Sequence, residues 1–270
     1  MKKKSLVSQT ICMLGIQSVL LAIVVISYIV VSYNTVLENM QTSSKNLLQL
    51  YGKELENKLE NADMLLERLI YKNNDYDMLQ SEKETERYYA SIEIKNFIQE
   101  QITYDQYVDA VVIGDSTYGS CLDYENSEIA YQERESLRTY AIERAGEGSA
   151  KAEWKIVQIG SRDYVSKMYV WQGRSAGIFI SVDHFMDNAT KKSLQKIAIL
   201  LKDDKEIVWG SCGKQEITYE IGKKLEKNWK NGTVYETDYL LADGQMEVSA
   251  YVSMSEIFSQ IRWNMILVLS

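Results

Sequence analysis

Residues 11–31 read ICMLGIQSVLLAIVVISYIVV and carry no formal charge. No other stretch constrains the fold as strongly, because a helix of that length spans ~30 Å, the thickness of a bilayer's hydrocarbon core. Gln17 and Ser18 are the awkward residues, and both can hydrogen-bond locally or to a neighbouring helix. Lys2, Lys3 and Lys4 precede the run. The positive-inside rule puts them in the cytoplasm and sends the chain from Tyr33 onward outside. A cleavable signal peptide is the competing reading, but its apolar region is usually ~7–15 residues and ends at a small-x-small site. This run is longer and passes into VVSYNTVLEN. A retained anchor is therefore expected over 11–32, behind a cytoplasmic N-terminus at 1–10.

The far end of the chain, IRWNMILVLS, is apolar again, with Arg262 and Trp263 suited to a membrane–water interface. A second crossing is expected to start within 256–270, which makes the sequence the outer half of a longer protein. A short amphipathic tail at a complete C-terminus is the alternative.

Between the two runs the pattern alternates between helix and strand. Val36, Met40, Leu47, Tyr51, Leu55, Leu59, Ala62, Leu66 and Leu69 recur at helical spacing, so 36–69 reads as one amphipathic helix leaving the membrane. KNNDYD (72–77) breaks it. A second helix is expected over 85–104, with Tyr89, Ile94, Phe97, Ile98 and Ile102 on one side. YVDAVVIGD (107–115) and STYGSCLD read as a strand pair, and 127–144 as a charged helix. EWKIVQIG, RDYVSKMYVW and SAGIFISVD then follow as three strands, with Gly160-Ser161 and Gly173-Arg174 as their turns. A short helix over 184–194 and the hairpin KIAILLKDDKEIVWGSC open a second, similar set. A helix over 217–229 and two strands around Asp243-Gly244 close it. The shared Gly-Ser-Cys of the two strand pairs fits two related modules. The fold class is α+β: one antiparallel sheet per module, with the long N-terminal helix packed along both.

Composition excludes several functions. A net charge of −8 leaves no basic surface for nucleic acid. One histidine and three cysteines, with no CxxC, do not supply a structural zinc site. Cys121 and Cys212 read as free thiols, although a pair between them is open. Carboxylates fall on helix faces such as ENKLEN and SEKETER, where a solvated surface is the default. No nucleophile–base order and no GxxxxGKS phosphate loop is found, so catalytic residues, metals and cofactors are not expected.

The order of a KKK-led span, a long helix, the YVDAVVIGD strand, the meander from Trp154 through Gly177 to Asp183, and an apolar run after SEIFSQ resembles the extracytoplasmic double-Cache sensor of bacterial membrane receptors. It is most similar to the form found in two-component histidine kinases. The resemblance covers essentially all of the chain and rests on architecture rather than on one signature. It implies PAS-like sheets and a distal module at 106–185 that carries a small-molecule pocket. It also implies a proximal module at 186–255, extracytoplasmic helices at 33–105, and a HAMP and kinase portion beyond residue 270. That kinase would phosphorylate its own histidine and pass the group to a response regulator. A chemotaxis receptor or diguanylate cyclase output, or a non-signalling anchored structural or adhesive protein, are the rivals. The Tyr…Arg-x-Trp-Tyr…Tyr…Asp pattern of the amino-acid-binding subclass is absent. Lys167 stands near the place of its arginine, and an ammonium does not replace a bidentate guanidinium.

Strand alternation puts Tyr164, Ser166, Met168 and Val170 on one face, and Val165, Lys167, Tyr169 and Trp171 on the other. The second face has the aromatic walls and sparse polar groups of a ligand pocket. With Trp154 and Asp183 on neighbouring strands, the ligand-binding set is Trp154, Lys167, Tyr169, Trp171 and Asp183. The bland reading makes the aromatics core or rim residues under a snorkelling Lys167, makes Asp183 a helix N-cap, and makes His184 a surface residue. The expected partners are a small molecule, the membrane, a response regulator and a second copy joined along the exposed seam of the long helix near Leu55 and Leu59.

Overall fold

The computed structural model describes residues 2–102, 107–125, 129–149, 151–187, 190–194, 197–204, 206–212, 215–217, 219–230 and 234–253. The expected second crossing in 256–270 lies outside the described residues, as do the last residues of the expected 85–104 helix.

The first element, α1 (Lys2–Glu67), is a single helix of 66 residues, ~100 Å long. The apolar run and the amphipathic segment are continuous, because no Gly–Pro punctuation or turn separates them. Its N-terminal part shows apolar side chains to the surroundings all round, from Ile11 to Val31, and is long and apolar enough to cross a membrane. Its C-terminal part buries Leu48, Tyr51, Leu55, Leu59, Ala62, Leu65 and Leu66, and the turn after it buries Leu69. Leu55 and Leu59 are 0% and 3% exposed, so the expectation that they form an exposed dimer seam is wrong. Their spacing marks the face turned to the core.

A π-helical turn (Arg68–Lys72) ends this helix, and α2 (Asn74–Met78) starts at once, the Asn73 side chain accepting from the Asp75 N–H at 2.9 Å. Helix α3 (Glu84–Ile102) buries Ala90, Ile94, Ile98 and Ile102. Tyr89, expected on that face, is 68% exposed instead, because the buried stripe runs i, i+4 from Ala90.

Five strands form the first sheet: β1 (Ala110–Asp115), β2 (Ser120–Glu125), β3 (Lys155–Ile159), β4 (Arg162–Trp171) and β5 (Arg174–Ser181), in the order β2-β1-β5-β4-β3. Helix α4 (Tyr131–Gly146) crosses between β2 and β3. Gly160 and Gly173 take φ of +63° and +79° in the two hairpin turns, the left-handed conformation that glycine adopts without strain. The expected helix over 184–194 is two short pieces, α5 (Val182–Met186) and a 3-10 turn (Thr190–Leu194).

The second sheet contains β6 (Ala198–Asp203), β7 (Glu206–Cys212), β8 (Gln215–Glu216), β9 (Val234–Leu241) and β10 (Met246–Ser253), in the order β8-β7-β6-β10-β9. Helix α6 (Tyr219–Lys230) crosses before β9. Within each sheet the opening hairpin lies beside the last strand, so the two are the same design. The two Gly-Ser-Cys triplets are not equivalent, however. Ser120 and Cys121 open β2 beside the β1–β2 turn, while Gly210, Ser211 and Cys212 close β7 at its far end. The relation lies in the topology, and the triplet identity is coincidence.

One apolar cluster joins α1, α3 and the inner faces of both sheets, from Leu48 and Leu66 through Val111, Val165 and Ile178 to Ile199, Val248 and Val252. A second, smaller cluster fills the gap between the outer face of the first sheet and α4, and includes Val112, Leu137, Tyr164 and Phe179. Both sheets therefore share α1 as their common spine. Gly52 of α1 meets Tyr239 of β9, and Asp63 meets Lys167 of β4. The first sheet thus contacts α1 about 16 Å further from the apolar segment than the second does.

Candidate functional site

The alternation read from β4 is the observed one. Val165 and Tyr169 join the core on the α1 side, while Tyr164, Met168 and Val170 join the cluster under α4. Lys167 lies on the α1 side among partners of three kinds. Its ammonium is 2.7 Å from the Asp63 carboxylate, 5.5 Å from the Tyr169 ring centroid and 6.0 Å from that of Trp154. The Tyr169 hydroxyl donates to the same carboxylate at 3.4 Å, and Tyr71 stands edge-on to the Tyr169 ring. Burial, and then the Asp63 charge, push the Tyr169 phenol up to about 12, so it stays a donor at physiological pH. The group is a cation held by a carboxylate and two ring faces.

Beside it opens a cleft of about 290 Å3. Leu59, Glu60 and Asp63 of α1 form one wall, Lys151 to Trp154 ahead of β3 a second, and the turn at Ala242 and Asp243 of the second sheet a third. Three parts of the molecule therefore meet there. Lys151 and Glu153 pair across 2.6 Å at the rim.

Of the five residues expected to bind ligand, the structure brings Trp154, Lys167 and Tyr169 together. Trp154 and Lys167 line the cleft, and Tyr169 stands behind Lys167. Trp171 is not with them; it ends β4 and is 62% exposed. Asp183 is also elsewhere, and accepts the Trp209 indole N–H at 2.9 Å, which ties α5 to β7 of the second sheet. Nor is Asp183 the N-cap of α5, since the Ser181 side chain accepts the His184 N–H. His184 is more than a surface residue. Its Nδ1 lies 2.7 Å from Asp109, a carboxylate 1% exposed that also accepts the Ser181 N–H at 2.6 Å.

Two features escaped the sequence. Asp63 sits in a helix rich in acids, and nothing in the pattern sets it apart from Glu56 or Glu60. Under α4, Glu133 is 7% exposed and Tyr164 0%, and neither the Glu133 Oε1 atom nor the Tyr164 hydroxyl has a hydrogen-bond partner among the described residues. Burial, followed by the neighbouring Glu133 charge, raises the Tyr164 phenol's pKa. The other oxygen of the Glu133 carboxylate pairs with the Arg162 guanidinium at 3.5 Å.

No family model matches the sequence, and no curated protein matches it. Solved structures do. The extracellular domain of a protein assigned as a histidine kinase, vpHK1S-Z8, aligns with a TM-score of 0.54 at 8% identity, over 84% of this chain and 96% of that domain. The sensory domain of the Campylobacter jejuni chemoreceptor Tlp3 aligns with a TM-score of 0.50 at 12% identity, over 84% of this chain and 98% of that one. Identity that low carries the fold and no more. The chain has the same fold as these sensory domains, a long N-terminal helix with two antiparallel sheets.

Proposed function

We propose that this chain is the extracytoplasmic ligand-sensing region of a membrane receptor, with residues 106–185 as the membrane-distal and 186–255 as the membrane-proximal module. One observation carries the reading. Both sheets of a sensory-domain fold are packed on α1, and α1 runs without a break into the apolar segment. A ligand that favours one arrangement of a sheet against α1 thereby favours one position of the membrane rod. The N-terminus is cytoplasmic, the receptor works as a homodimer, and its output beyond residue 270 is a histidine kinase acting on a response regulator. A chemotaxis output is the second reading, supported by the fold shared with a chemoreceptor domain.

The ligand is a small molecule in the cleft walled by Trp154 and Lys167, where space, an aromatic surface and charged groups coincide. The buried Glu133 and Tyr164 side chains favour the α4 side of the same sheet as the alternative location. A thermal-stabilisation screen of the 270-residue chain in lipid nanodiscs against a metabolite library tests both. A compound that raises Tm in the wild type, and fails to do so in Trp154→Ala and Lys167→Met, places the ligand in the cleft. A shift that survives those changes and disappears in Glu133→Gln moves it under α4. Absence of any stabilising compound would count against the sensor reading itself.

A further inference from the structure

The connector between the two sheets is gripped by a single stripe of α1. Tyr51, Glu54 and Lys58 are spaced three and four residues apart, so they share one face of the helix. The Tyr51 hydroxyl, fully buried, donates to the Met186 carbonyl at 2.6 Å. The Lys58 ammonium donates to the carbonyls of His184, Phe185 and Asp187 at 2.8, 2.8 and 2.6 Å. Glu54 accepts from the Thr190 hydroxyl at 2.7 Å. Four successive carbonyls at the end of α5 are thus satisfied from α1. Those are the groups a helix leaves without internal partners, and they carry the negative end of its dipole.

This is an unusual way to hold a lysine. Lys58 is half-buried, and among the described residues the hydrogen bonds of its ammonium all go to main-chain oxygens. Burial pulls its pKa down to about 8, against the opposing pull of Asp187 and Glu54. The Tyr107 ring lies 5.5 Å from the ammonium, and its hydroxyl donates to the Lys58 carbonyl. Side chains can be exchanged or lost without moving a backbone, but carbonyls cannot. A grip on main-chain oxygens therefore fixes the position of the connector itself along α1.

We propose that Tyr51, Glu54 and Lys58 form a latch that ties the inter-module connector to the signalling helix, so that a displacement at the end of β5 is passed both to α1 and to the second sheet. The transmission role rests on the sensor reading above; the latch does not. Helix α5 follows β5 without a loop, and Asp183, one residue before the gripped carbonyls, holds Trp209 of β7. The latch thus sits where the first sheet, the second sheet and the spine are joined.

Hydrogen–deuterium exchange on the 270-residue chain in nanodiscs tests this without any ligand. Lys58→Met keeps the apolar stem and removes the three bonds. It is expected to speed exchange about tenfold over 182–187, the loss of a charge-assisted bond or more, while β4, β5 and β6 keep wild-type protection. Lys58→Arg is expected to restore protection, and Tyr51→Phe to give a smaller effect in the same direction. The transmission role is read with a second change, Val165→Ala in the first sheet. In the wild type this should speed exchange in β10 several-fold, and in the Lys58→Met background it should not. Unchanged exchange over 182–187 in Lys58→Met overturns the latch, and loss of protection in every strand reduces it to an ordinary core contact. An equal response of β10 in both backgrounds overturns the transmission. An empty ligand screen would count against the sensor reading and leave the latch itself intact.

Discussion

Gly52 tests how tightly the second sheet is seated on the spine. Glycine inside a helix normally invites replacement, because alanine there is more favourable by about 0.8–1 kcal/mol. Here the gain should be reversed. A Cβ at position 52 would stand 2.3 Å from Cδ1, 2.4 Å from Cγ and 2.7 Å from Cε1 of Tyr239. Ordinary carbon contacts begin near ~3.5 Å, so the ring must recede by about 1 Å. Cγ is close to the backbone, so rotation of the ring cannot clear the clash. The Tyr239 hydroxyl also donates to Glu56, one turn further along α1, at 2.9 Å, and that bond moves with the ring. Overpacking of this kind costs about 1–3 kcal/mol, and a weakened bond to a carboxylate adds about 1 kcal/mol. Against the helix gain, Gly52→Ala should destabilise by about 1–3 kcal/mol. The decisive arm is the Tyr239→Ala background. With the ring gone, the same Gly52→Ala change should stabilise by about 1 kcal/mol. Urea unfolding of the chain in nanodiscs, followed by tryptophan fluorescence, reads both signs in a double-mutant cycle. If Gly52→Ala stabilises equally in both backgrounds, α1 and β9 are not in the close contact described and the shared-spine argument fails.

Leu55→Asp or Leu59→Asp should abolish cooperative unfolding of the chain, since even truncation of a buried leucine to alanine costs about 2–5 kcal/mol; a folded but monomeric variant, seen by light scattering with a normal melt, would return these residues to an interface. Asp203 of β6 accepts the Ile156 N–H of β3 at 3.2 Å, a bond between the two sheets. Burial raises its pKa above the ordinary 3.8. The folded state then holds this proton to higher pH than the unfolded state does, and the group's contribution to stability falls as pH rises from 3.8 through the raised value. Asp203→Asn should therefore stabilise at neutral pH and lose that advantage below pH ~4, where wild-type Asp203 is itself protonated; a gain that persists in acid would refute the burial argument. Burial pushes the Cys121 thiol up to about 12. Mass spectrometry after alkylation at pH 8 should find Cys121 labelled slowly in the folded chain and fully after denaturation.

The uncharged stretch at 11–31, the helix after it, the succession of strands along the chain and the α+β class were all legible in the sequence, because each is written in a local period. Apolar residues at three- and four-residue steps mark a helix, alternate ones mark a strand, and glycine at 160 and 173 marks a turn. The two faces of β4 followed from the same rule. What a period cannot encode is which residue from a distant element meets a given face. Leu55 and Leu59 have the same pattern whether the partner is a sheet or a second copy. Asp63 and Lys167 are separated by 104 positions, and only the packing of α1 against the first sheet makes them a pair. Asp183 belonged by proximity in sequence to the β4 and β5 residues, yet the short α5 turns it toward Trp209. The Gly-Ser-Cys repeat pointed to a true topological relation through a coincidental identity. Short-range sterics and solvation thus set the elements. The cleft, the cation held between Asp63 and two rings, and the grip on the connector carbonyls came only from tertiary packing, because their energies arise between groups far apart in the chain and brought together by burying one shared core.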